Sequence, residues 1–502
     1  MKNIRNLFII MIVLILSSCF EDKGNYDYKD IFENKIYIGL NQYGATVKAG
    51  DSINFIPKVH YYNKNQEDTL IYKWSYIFDD LGVVCETREM NMVVENAEVG
   101  KTYEGILIVT DTTTGAKYSQ NISFRYTNPY VKGILVLSNS NDKSNLSMIT
   151  SIEVGEDSIE YEHVDNIYKK FNNEDLGNGY FDIIINTIGR KEVRLLDKGD
   201  NSIILSGDSY IKISDFNSEI LDSKIPGSAY PKDFACSGNV SALLSSDNKL
   251  YTKSFTTSSW GSGIPYANSY FAITPMSYKS KVLNVSHLLD SRNLYDVFLY
   301  DETYHSFFML NGASSYDAGM LYPITAPVGY DEAYAPKPNK LQNYKIINTA
   351  LCNQSYSSYT LKALIQNINT SEMYIYKFAG EQEEASNISM EVFTESSKIG
   401  DNTIFSILGE RPYMFFTDNN NPNSLYCYDL RTHQSILIKT YNSKITALSP
   451  STDFNNLCVG LEDGGFFMQN IDEETLISGN YDKVIYSTNF DGKVVDIEYK
   501  KY

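Results

Sequence analysis

Tyr295-Asp296-Val297-Phe298-Leu299-Tyr300-Asp301 is an alternating, aromatic-rich segment that ends on an aspartate. Alternation of this kind is typical of a β-strand, and polar residues around it are typical of turns. Comparable segments return along the rest of the chain, and we interpret them as a degenerate repeat of hairpin-like units. Further instances are Ser241–Lys253, Met373–Lys377, Leu425–Asp429 and Leu457–Met468.

The repeat predicts a series of small antiparallel sheets. Units of about fifty residues that each form such a sheet resemble the blades of a β-propeller. The chain ends on Gly492–Tyr499, an alternating strand without partners of its own, which in a propeller would complete the first blade and close the ring. A run of stacked β-sandwiches is the alternative, and the lack of a recurring Trp or Cys core marker weakens it. The seven candidate blades begin near residues 133, 180, 233, 268, 343, 402 and 444.

The strands before the repeat are short, and they run from about residue 34 to residue 128. One of them, Leu70–Tyr76, places Trp74 where it can be buried between two sheets. About ninety residues of this kind predict a β-sandwich. The Tyr72-x-Trp74 pattern and the Gly100-Lys101-Thr102-Tyr103…Val109-Thr110-Asp111 pattern resemble those of PKD domains, although Ser75–Asp80 replaces that family's usual turn. We therefore expect an all-β chain with an N-terminal Ig/PKD-like β-sandwich followed by a β-propeller of about seven blades.

The N-terminus has the features of a lipoprotein signal. Lys2 and Arg5 precede Leu7–Leu16, an apolar run of ten residues that is too short to span a bilayer, which takes ~20 helical residues. Leu16-Ser17-Ser18-Cys19 then resembles a lipobox, in which the cysteine is lipidated; the alternative is an ordinary secretory signal that contains a cysteine. The expected segments are a signal peptide (1–18), a lipidated N-terminus and flexible tether (19–33), the sandwich (34–128) and the propeller (129–502).

Composition excludes nucleic acid as a partner. Lys and Arg number 43 against 62 Asp and Glu, and the formal net charge of −19 repels nucleic acid and anionic headgroups. The five cysteines other than Cys19 show no CxxC or other metal-binding spacing. A bridge between Cys427 and Cys458 is one interpretation, but scattered buried thiols are the favoured one. We expect neither a metal nor a cofactor.

No catalytic residues are expected. The H-E-x-x-H and G-x-S-x-G patterns are absent, although a fold can still bring carboxylates from different blades together, as propeller glycosidases do. For ligand binding, the glycine-rich loop Trp260–Tyr270 carries the candidates Trp260, Tyr266 and Tyr270, since an exposed aromatic ring can stack on a sugar or grip a peptide side chain. The alternative is that Trp260 and Tyr270 are buried between blades.

The order of these features resembles the PKD-like surface lipoproteins of the Bacteroidota. The most specific stretch is Cys19–Tyr28, and Glu21-Asp22 is similar to surface-export signals of that phylum. The resemblance implies a lipid-anchored protein on the outer face of the outer membrane. It would be a non-catalytic accessory of a SusC/SusD-type TonB-dependent importer, binding substrate or assisting assembly, with oligopeptides favoured as substrate. The alternatives are a surface glycan-binding protein and a propeller-type hydrolase.

Replacing Cys19 by alanine tests the anchor. We expect Cys19→Ala to abolish lipid labelling and to release the chain from the membrane fraction, because no other apolar segment approaches membrane-spanning length. Ser18→Ala, which keeps a small residue beside the cysteine, is the matched control and should stay membrane-bound. If Cys19→Ala resists a carbonate wash in cells that lack its partners, the lipobox interpretation is wrong.

Overall fold

A computed structural model describes most of the chain after residue 35. Its contacts divide the protein into two compact units, Met1–Tyr126 and Thr127–Tyr502, which are described separately. Among the described residues, no helix has both the length and the apolar character needed to cross a membrane. The described residues are 36–47, 52–61, 69–77, 83–93, 101–126, 130–141, 143–153, 159–186, 191–216, 228–237, 240–254, 285–289, 296–312, 320–353, 358–481 and 483–501.

The N-terminal unit is built from strands alone in its described part. A five-stranded sheet has the order β2-β9-β8-β5-β6, in which β2 pairs parallel to β9 and the other pairs are antiparallel. The pairs β1-β4 and β3-β7 form the remaining ladders. The strands are β1 Ile36–Leu40, β2 Gly44–Val47, β3 Ser52–Phe55, β4 Pro57–Tyr61, β5 Leu70–Ile77, β6 Val83–Cys85, β7 Met90–Val93, β8 Thr102–Asp111 and β9 Lys117–Tyr126.

Both groups of strands bury apolar side chains in one core, as a sandwich requires. Along β8 every second residue from Tyr103 is buried, which is the pattern of a strand with one face inward. Trp74 is fully buried, its ring centroid lies 6.2 Å from that of Phe55 on the opposite ladder, and its indole N–H donates to the Thr87 carbonyl at 3.0 Å. A satisfied indole N–H removes the cost of burying it. The predicted tryptophan-centred sandwich is confirmed.

In its described residues the C-terminal unit is a series of antiparallel sheets, six with four strands and one with three, and it has two short α-helices. The helix Glu473–Ser478 begins where the Asp472 side chain accepts from the backbone N–H of Thr475 at 2.7 Å, and it ends at Gly479, which has a positive φ of 77°. The strands are β10 Gly133–Ser140, β11 Lys143–Glu153, β12 Ile159–Val164, β13 Tyr180–Asn186, β14 Glu192–Asp197, β15 Ile203–Ser206, β16 Lys212–Asp215, β17 Pro231–Ser237, β18 Val240–Ser245, β19 Leu250–Ser254, β20 Val285–Leu289, β21 Val297–Asp301, β22 Ser306–Leu310, β23 Leu321–Pro323, β24 Tyr344–Asn353, β25 Ser358–Asn367, β26 Met373–Glu381, β27 Glu384–Val392, β28 Phe405–Ile407, β29 Tyr413–Thr417, β30 Ser424–Asp429, β31 Gln434–Thr440, β32 Ile445–Pro450, β33 Asn456–Leu461, β34 Gly465–Asn470, β35 Val484–Asn489 and β36 Lys493–Lys500, and the helices are α1 Ile167–Asn172 and α2 Glu473–Ser478.

Seven sheets of the described residues form a closed ring. Their orders are β36-β10-β11-β12, β13 to β16, β17 to β19, β20 to β23, β24 to β27, β28 to β31 and β32 to β35, and we number them blades 1 to 7. Strands of consecutive blades contact each other: β14 contacts β17, β17 contacts β20, β20 contacts β24, β24 contacts β28, and β28 contacts β32. The last strand, β36, contacts both β32 and β13. This arrangement confirms the β-propeller, and the stacked-sandwich alternative is wrong. In six blades the first strand in chain order begins at residue 133, 180, 231, 344, 405 or 445, close to the predicted starts. The predicted start near 268 lies outside the described residues.

The recurring aspartate at the end of a strand has a structural role. Oδ1 of Asp301 accepts a backbone N–H from the turn that follows it at 2.8 Å, and Oδ1 of Asp429 does the same at 2.8 Å. His305 and His433 occupy the left-handed positions of these turns, with φ of 52° and 57°. The aspartates therefore satisfy turn amides that would otherwise lack an acceptor.

The last strand, β36, closes the ring. It pairs antiparallel with β10, with Ile134 opposite Tyr499 and Val136 opposite Ile497. Val494 is completely buried and Ile497 nearly so, in a cluster shared with blade 7. Thr446 of blade 7 donates its hydroxyl to the Val494 carbonyl at 2.5 Å. The prediction that the C-terminal strand completes the first blade is confirmed.

Truncating the chain tests this closure. Deleting residues 494–502 should lower the melting temperature of the whole C-terminal unit, because two buried aliphatic side chains alone contribute ~3–6 kcal/mol and an unpaired edge is left behind. Deleting only residues 501–502 keeps β36 and should leave the calorimetric transition in place. An unchanged melting curve after the longer deletion would argue against a ring held by β36.

Candidate functional site

The structure does not test the site residues expected from the sequence. Cys19, Trp260, Tyr266 and Tyr270 all lie outside the described residues. The lipidation site and the aromatic ligand site therefore stay predictions, as does the alternative in which Trp260 and Tyr270 are buried between blades.

The described residues contain a different cluster, made of carboxyl groups on the first strands of neighbouring blades. Asp182 lies on β13 at a bulge in its pairing with β14, and Asp496 lies on β36. The two carboxyl groups hydrogen-bond each other, and the backbone N–H of Ile183 donates to Oδ2 of Asp496 at 2.7 Å. Asp233 of blade 3 and Glu498 of β36 add their negative charges nearby. The cluster sits at the seam where the closing strand meets blade 2.

Burial controls the protonation of this pair. Burial, as the largest cause, and the charge of Asp233 raise the pKa of Asp182 to about 7, although the hydrogen bond from Asp496 acts in the opposite direction. Burial also raises the pKa of Asp496 well above its usual range, with the charge of Asp182 as the next cause and the Ile183 N–H opposing. Each side chain keeps some solvent-accessible surface, but protein surrounds both carboxyl groups. Two such carboxyls share one proton near neutral pH and titrate as a pair.

A buried lysine, Lys500, joins the C-terminal end of β36 to blade 2. Lys500 on β36 donates to the Gly207 carbonyl and, at 2.9 Å, to the Tyr210 hydroxyl, and its ammonium lies 4.4 Å from the centre of the Tyr210 ring. Burial lowers the pKa of Lys500 to about 7, while the charge of Asp208 acts in the opposite direction. The closing strand β36 therefore places two titratable groups against blade 2. They are Asp496, which shares a proton with Asp182, and Lys500, whose pKa is lowered by burial.

The spacing of the carboxyl pair bears on the chemistry it could perform. Glycosidases hold their two carboxyls ~5–9.5 Å apart, so that a glycosidic bond and, in inverting enzymes, a water fit between them. Asp182 and Asp496 hydrogen-bond directly and leave no such gap. Their geometry is that of a dyad that shares a proton, which makes the seam between blades 1 and 2 sensitive to pH.

Within the described ranges, no group of three or more His, Cys, Asp or Glu side chains could hold a metal ion. Cys427 and Cys458 are buried free thiols, and the Cys458 thiol lies 3.1 Å from the Tyr499 hydroxyl. The interpretation of these cysteines as buried thiols is the one that matches the structure.

The fold defines a class of all-β proteins with a PKD-like N-terminal domain and a β-propeller. Residues 19–179 match the PKD-like family, which is less than half of the chain and runs from Cys19 to the residue before β13. A search of curated proteins finds no match.

Two solved structures are similar to the chain. One is a quinonprotein alcohol dehydrogenase-like protein from Bacteroides thetaiotaomicron VPI-5482, with 10% identity, coverage of 93% of this chain and 99% of that chain, and a TM-score of 0.34. The other is BBS1N in complex with ARL6DN, with 13% identity, coverage of 64% and 84%, and a TM-score of 0.37. At such identities neither protein's activity transfers to this chain.

The pH dependence of stability tests the carboxyl pair. An unfolded Asp has a pKa of ~3.9, whereas that of Asp182 is about 7. The folded chain therefore binds the proton more tightly between these values. The stability from the pair is complete below pH ~4 and is lost as the pH rises through ~7.

Asp182→Asn replaces the shared proton by a permanent amide donor. We expect this variant to melt roughly 2–5 °C above the wild type at pH 8, a gain of about 1–2 kcal/mol, and to match it at pH 5. The exposed Asp401→Asn is the control and should leave the pH dependence unchanged. Equal pH slopes for wild type and Asp182→Asn would rule out a shared proton.

Proposed function

We propose that this protein is a lipid-anchored accessory protein on the outer face of the outer membrane, which binds substrate for a SusC/SusD-type importer without turning it over. The observation that carries the proposal is the start of the family match at Cys19, the residue expected to be lipidated. The match then continues through the sandwich and the chain segment of blade 1. The expected anchor, tether and sandwich thus fall within one family pattern.

Tethering gives this arrangement its physical advantage. Several acyl chains on one residue exceed the two-signal threshold for stable anchoring. Confinement to the surface that holds the importer raises the effective concentration of both partners, so a weak contact is sufficient for assembly. The net charge of −19 disfavours adsorption of the folded part to anionic headgroups and leaves it available to partners.

Oligopeptides are the substrate we favour, and two alternatives rest on particular residues. A surface glycan-binding protein would use the aromatic rings of Trp260, Tyr266 and Tyr270 for stacking on sugars. A propeller-type hydrolase would need a carboxyl pair with room for substrate, and the direct hydrogen bond between Asp182 and Asp496 disfavours that use of this pair.

Recovery of partners and a turnover assay together test the proposal. After mild crosslinking on intact cells, we expect the full-length chain to be recovered with a TonB-dependent barrel and its lid lipoprotein, and the purified protein to release no product from peptides or glycans. Cys19→Ala should lose the partners, because the gain in effective concentration is lost, while Asp401→Asn should keep them. Recovery of the chain alone, with hydrolysis that Asp182→Asn or Asp496→Asn abolishes, would favour the hydrolase.

A further inference from the structure

The connection between blades 4 and 5 is fixed to both blades at its ends. It runs over residues 324–341, from the end of β23 to the start of β24, and we call it the blade 4–5 loop. The Thr325 N–H donates to the Glu383 carbonyl and the Ala385 N–H donates to the Thr325 carbonyl, each at 2.8 Å, so Thr325 pairs with the start of β27 as a strand residue would. At the other end, the Leu341 N–H donates to the blade 4 backbone at 2.9 Å.

The second half of the blade 4–5 loop is also attached along its length. The Tyr376 hydroxyl of blade 5 donates to the Pro336 carbonyl at 2.8 Å, and the Phe307 N–H of blade 4 donates to the Pro338 carbonyl at 3.0 Å. Ala335, which precedes these contacts, is buried in the apolar cluster that blades 4 and 5 share. The loop is therefore ordered before any partner binds, and ordering it on binding costs little further entropy.

The outermost part of this loop exposes large apolar side chains. In residues 328–334, which we call the tip, Val328 is fully exposed and Tyr334 is 79% exposed. Tyr330 instead turns back, and its hydroxyl donates to the Ala335 carbonyl at 3.2 Å. An ordered projection that leaves a valine and a tyrosine in water has the features of an interface anchor, because such side chains gain most when a partner's pocket buries them.

The exposed charges beside the tip are acidic. Asp331 lies within the tip, and its Oδ1 accepts the Ala333 N–H at 3.0 Å. The pairing of Thr325 with β27 also brings the loop beside an exposed acidic turn. Within the part of the chain that the structure describes, none of these carboxylates forms an ion pair. The acidic residues of the turn are Glu381, Glu383 and Glu384.

The two lysines of the loop do not offset this charge. Lys337 and Lys340 both bind the same oxygen of Glu332, at 3.0 and 3.2 Å. They are thus engaged with a carboxylate of the loop itself. The tip presents apolar groups to a partner, with unpaired negative charge beside them.

This combination fits a protein whose apolar pocket is edged by lysine or arginine. An anionic membrane surface would repel the unpaired carboxylates. A second copy of the chain would bring the same acidic groups against each other, and like charges placed together across an interface oppose association. A basic rim on a protein partner would instead complement them.

We propose that the tip of the blade 4–5 loop docks this chain on a protein of the importer. Val328 and Tyr334 enter an apolar pocket of the partner, and lysine or arginine side chains at its rim face Asp331 and the acidic turn. This inference rests on the proposed function and names the surface that performs it. Because the lipid anchor confines both proteins to one surface, a contact built on two apolar side chains is sufficient.

A photo-crosslinking residue at the tip tests the docking surface in intact cells. The variant is Tyr334→p-benzoylphenylalanine in the full-length chain. The control carries the same substitution at Ile368, which is 59% exposed beside the start of β26, whereas the acidic turn lies at its end. We expect irradiation to link position 334, and not position 368, to the barrel or to its lid lipoprotein. The linked peptide should come from an apolar pocket with lysine or arginine at its rim.

Substitutions at the tip test the same contact by loss. The double variant Val328→Ser/Tyr334→Ser should lower recovery of the importer after chemical crosslinking by about fivefold or more, because both anchors are removed. Its melting temperature should not change, since neither side chain is packed in the core. Ile368→Ser is the matched control and should keep full recovery.

Neutralising the acidic turn tests the charge complementarity. The triple variant Glu381→Gln/Glu383→Gln/Glu384→Gln should lower recovery roughly twofold to threefold, and the recovery that remains should depend less on the salt of the medium. An unchanged recovery with an unchanged salt dependence would contradict the basic rim.

The docking surface and the accessory function can fail separately. Equal recovery of the importer by the wild type and by Val328→Ser/Tyr334→Ser, with no link from position 334 to an importer protein, would overturn the docking surface and leave the accessory function in place. Links from position 334 to lipid alone, or to a second copy alone, would overturn it as well. If no crosslinker recovers an importer protein with the wild type, the proposed function itself is wrong, and this inference falls with it.

Discussion

The pairing of β36 with β10 is the constraint on which the C-terminal unit depends. Each blade buries its faces against two neighbours, so a ring with one strand missing from blade 1 would expose the core of blades 1 and 7 together. A closed ring also removes the one seam at which the first and last blades would otherwise separate. The strand that closes it carries apolar residues toward blade 7 and titratable residues toward blade 2. The one short strand β36 therefore contributes both to the stability of the ring and to its dependence on pH.

Buried cations join other blades in a similar way. Lys362 of blade 5 donates to the Leu408 and Arg411 carbonyls of blade 6 at 2.7 and 2.8 Å, and burial lowers its pKa to about 8. Arg194 of blade 2 lies 4.3 Å from the centre of the Phe234 ring of blade 3 and bonds Glu192 at 2.8 Å. A buried charge is costly unless it is paired or hydrogen-bonded. These contacts consequently fix how one blade sits on the next, in addition to the apolar packing.

Local sequence patterns predicted the fold, whereas the carboxyl pair forms from residues that are far apart in the sequence. Alternation in segments such as Val297–Asp301 predicts strands because the pattern and the structure share a period of two. The unpartnered Gly492–Tyr499 predicted closure for the same reason. Nothing local pairs Asp182 with Asp496, which lie on blades 2 and 1 at opposite ends of the unit's sequence. The sequence signal for this pair was an aspartate, Asp496, within the predicted closing strand. Its partner Asp182 could not be predicted, because the position of Asp182 depends on a bulge in β13.

Closure by the final strand also fixes the order of events in biosynthesis. Blade 1 needs Gly133–Ser140 and Lys493–Lys500, which are made at the beginning and the end of the propeller's synthesis. Blades 2 to 7 can form hairpins as they emerge, but the ring has no closed state until the last residues are available. Contacts between such distant segments are slow to form, since the loop entropy must be overcome first. The ring of a nascent propeller therefore stays open until the synthesis of the chain reaches β36.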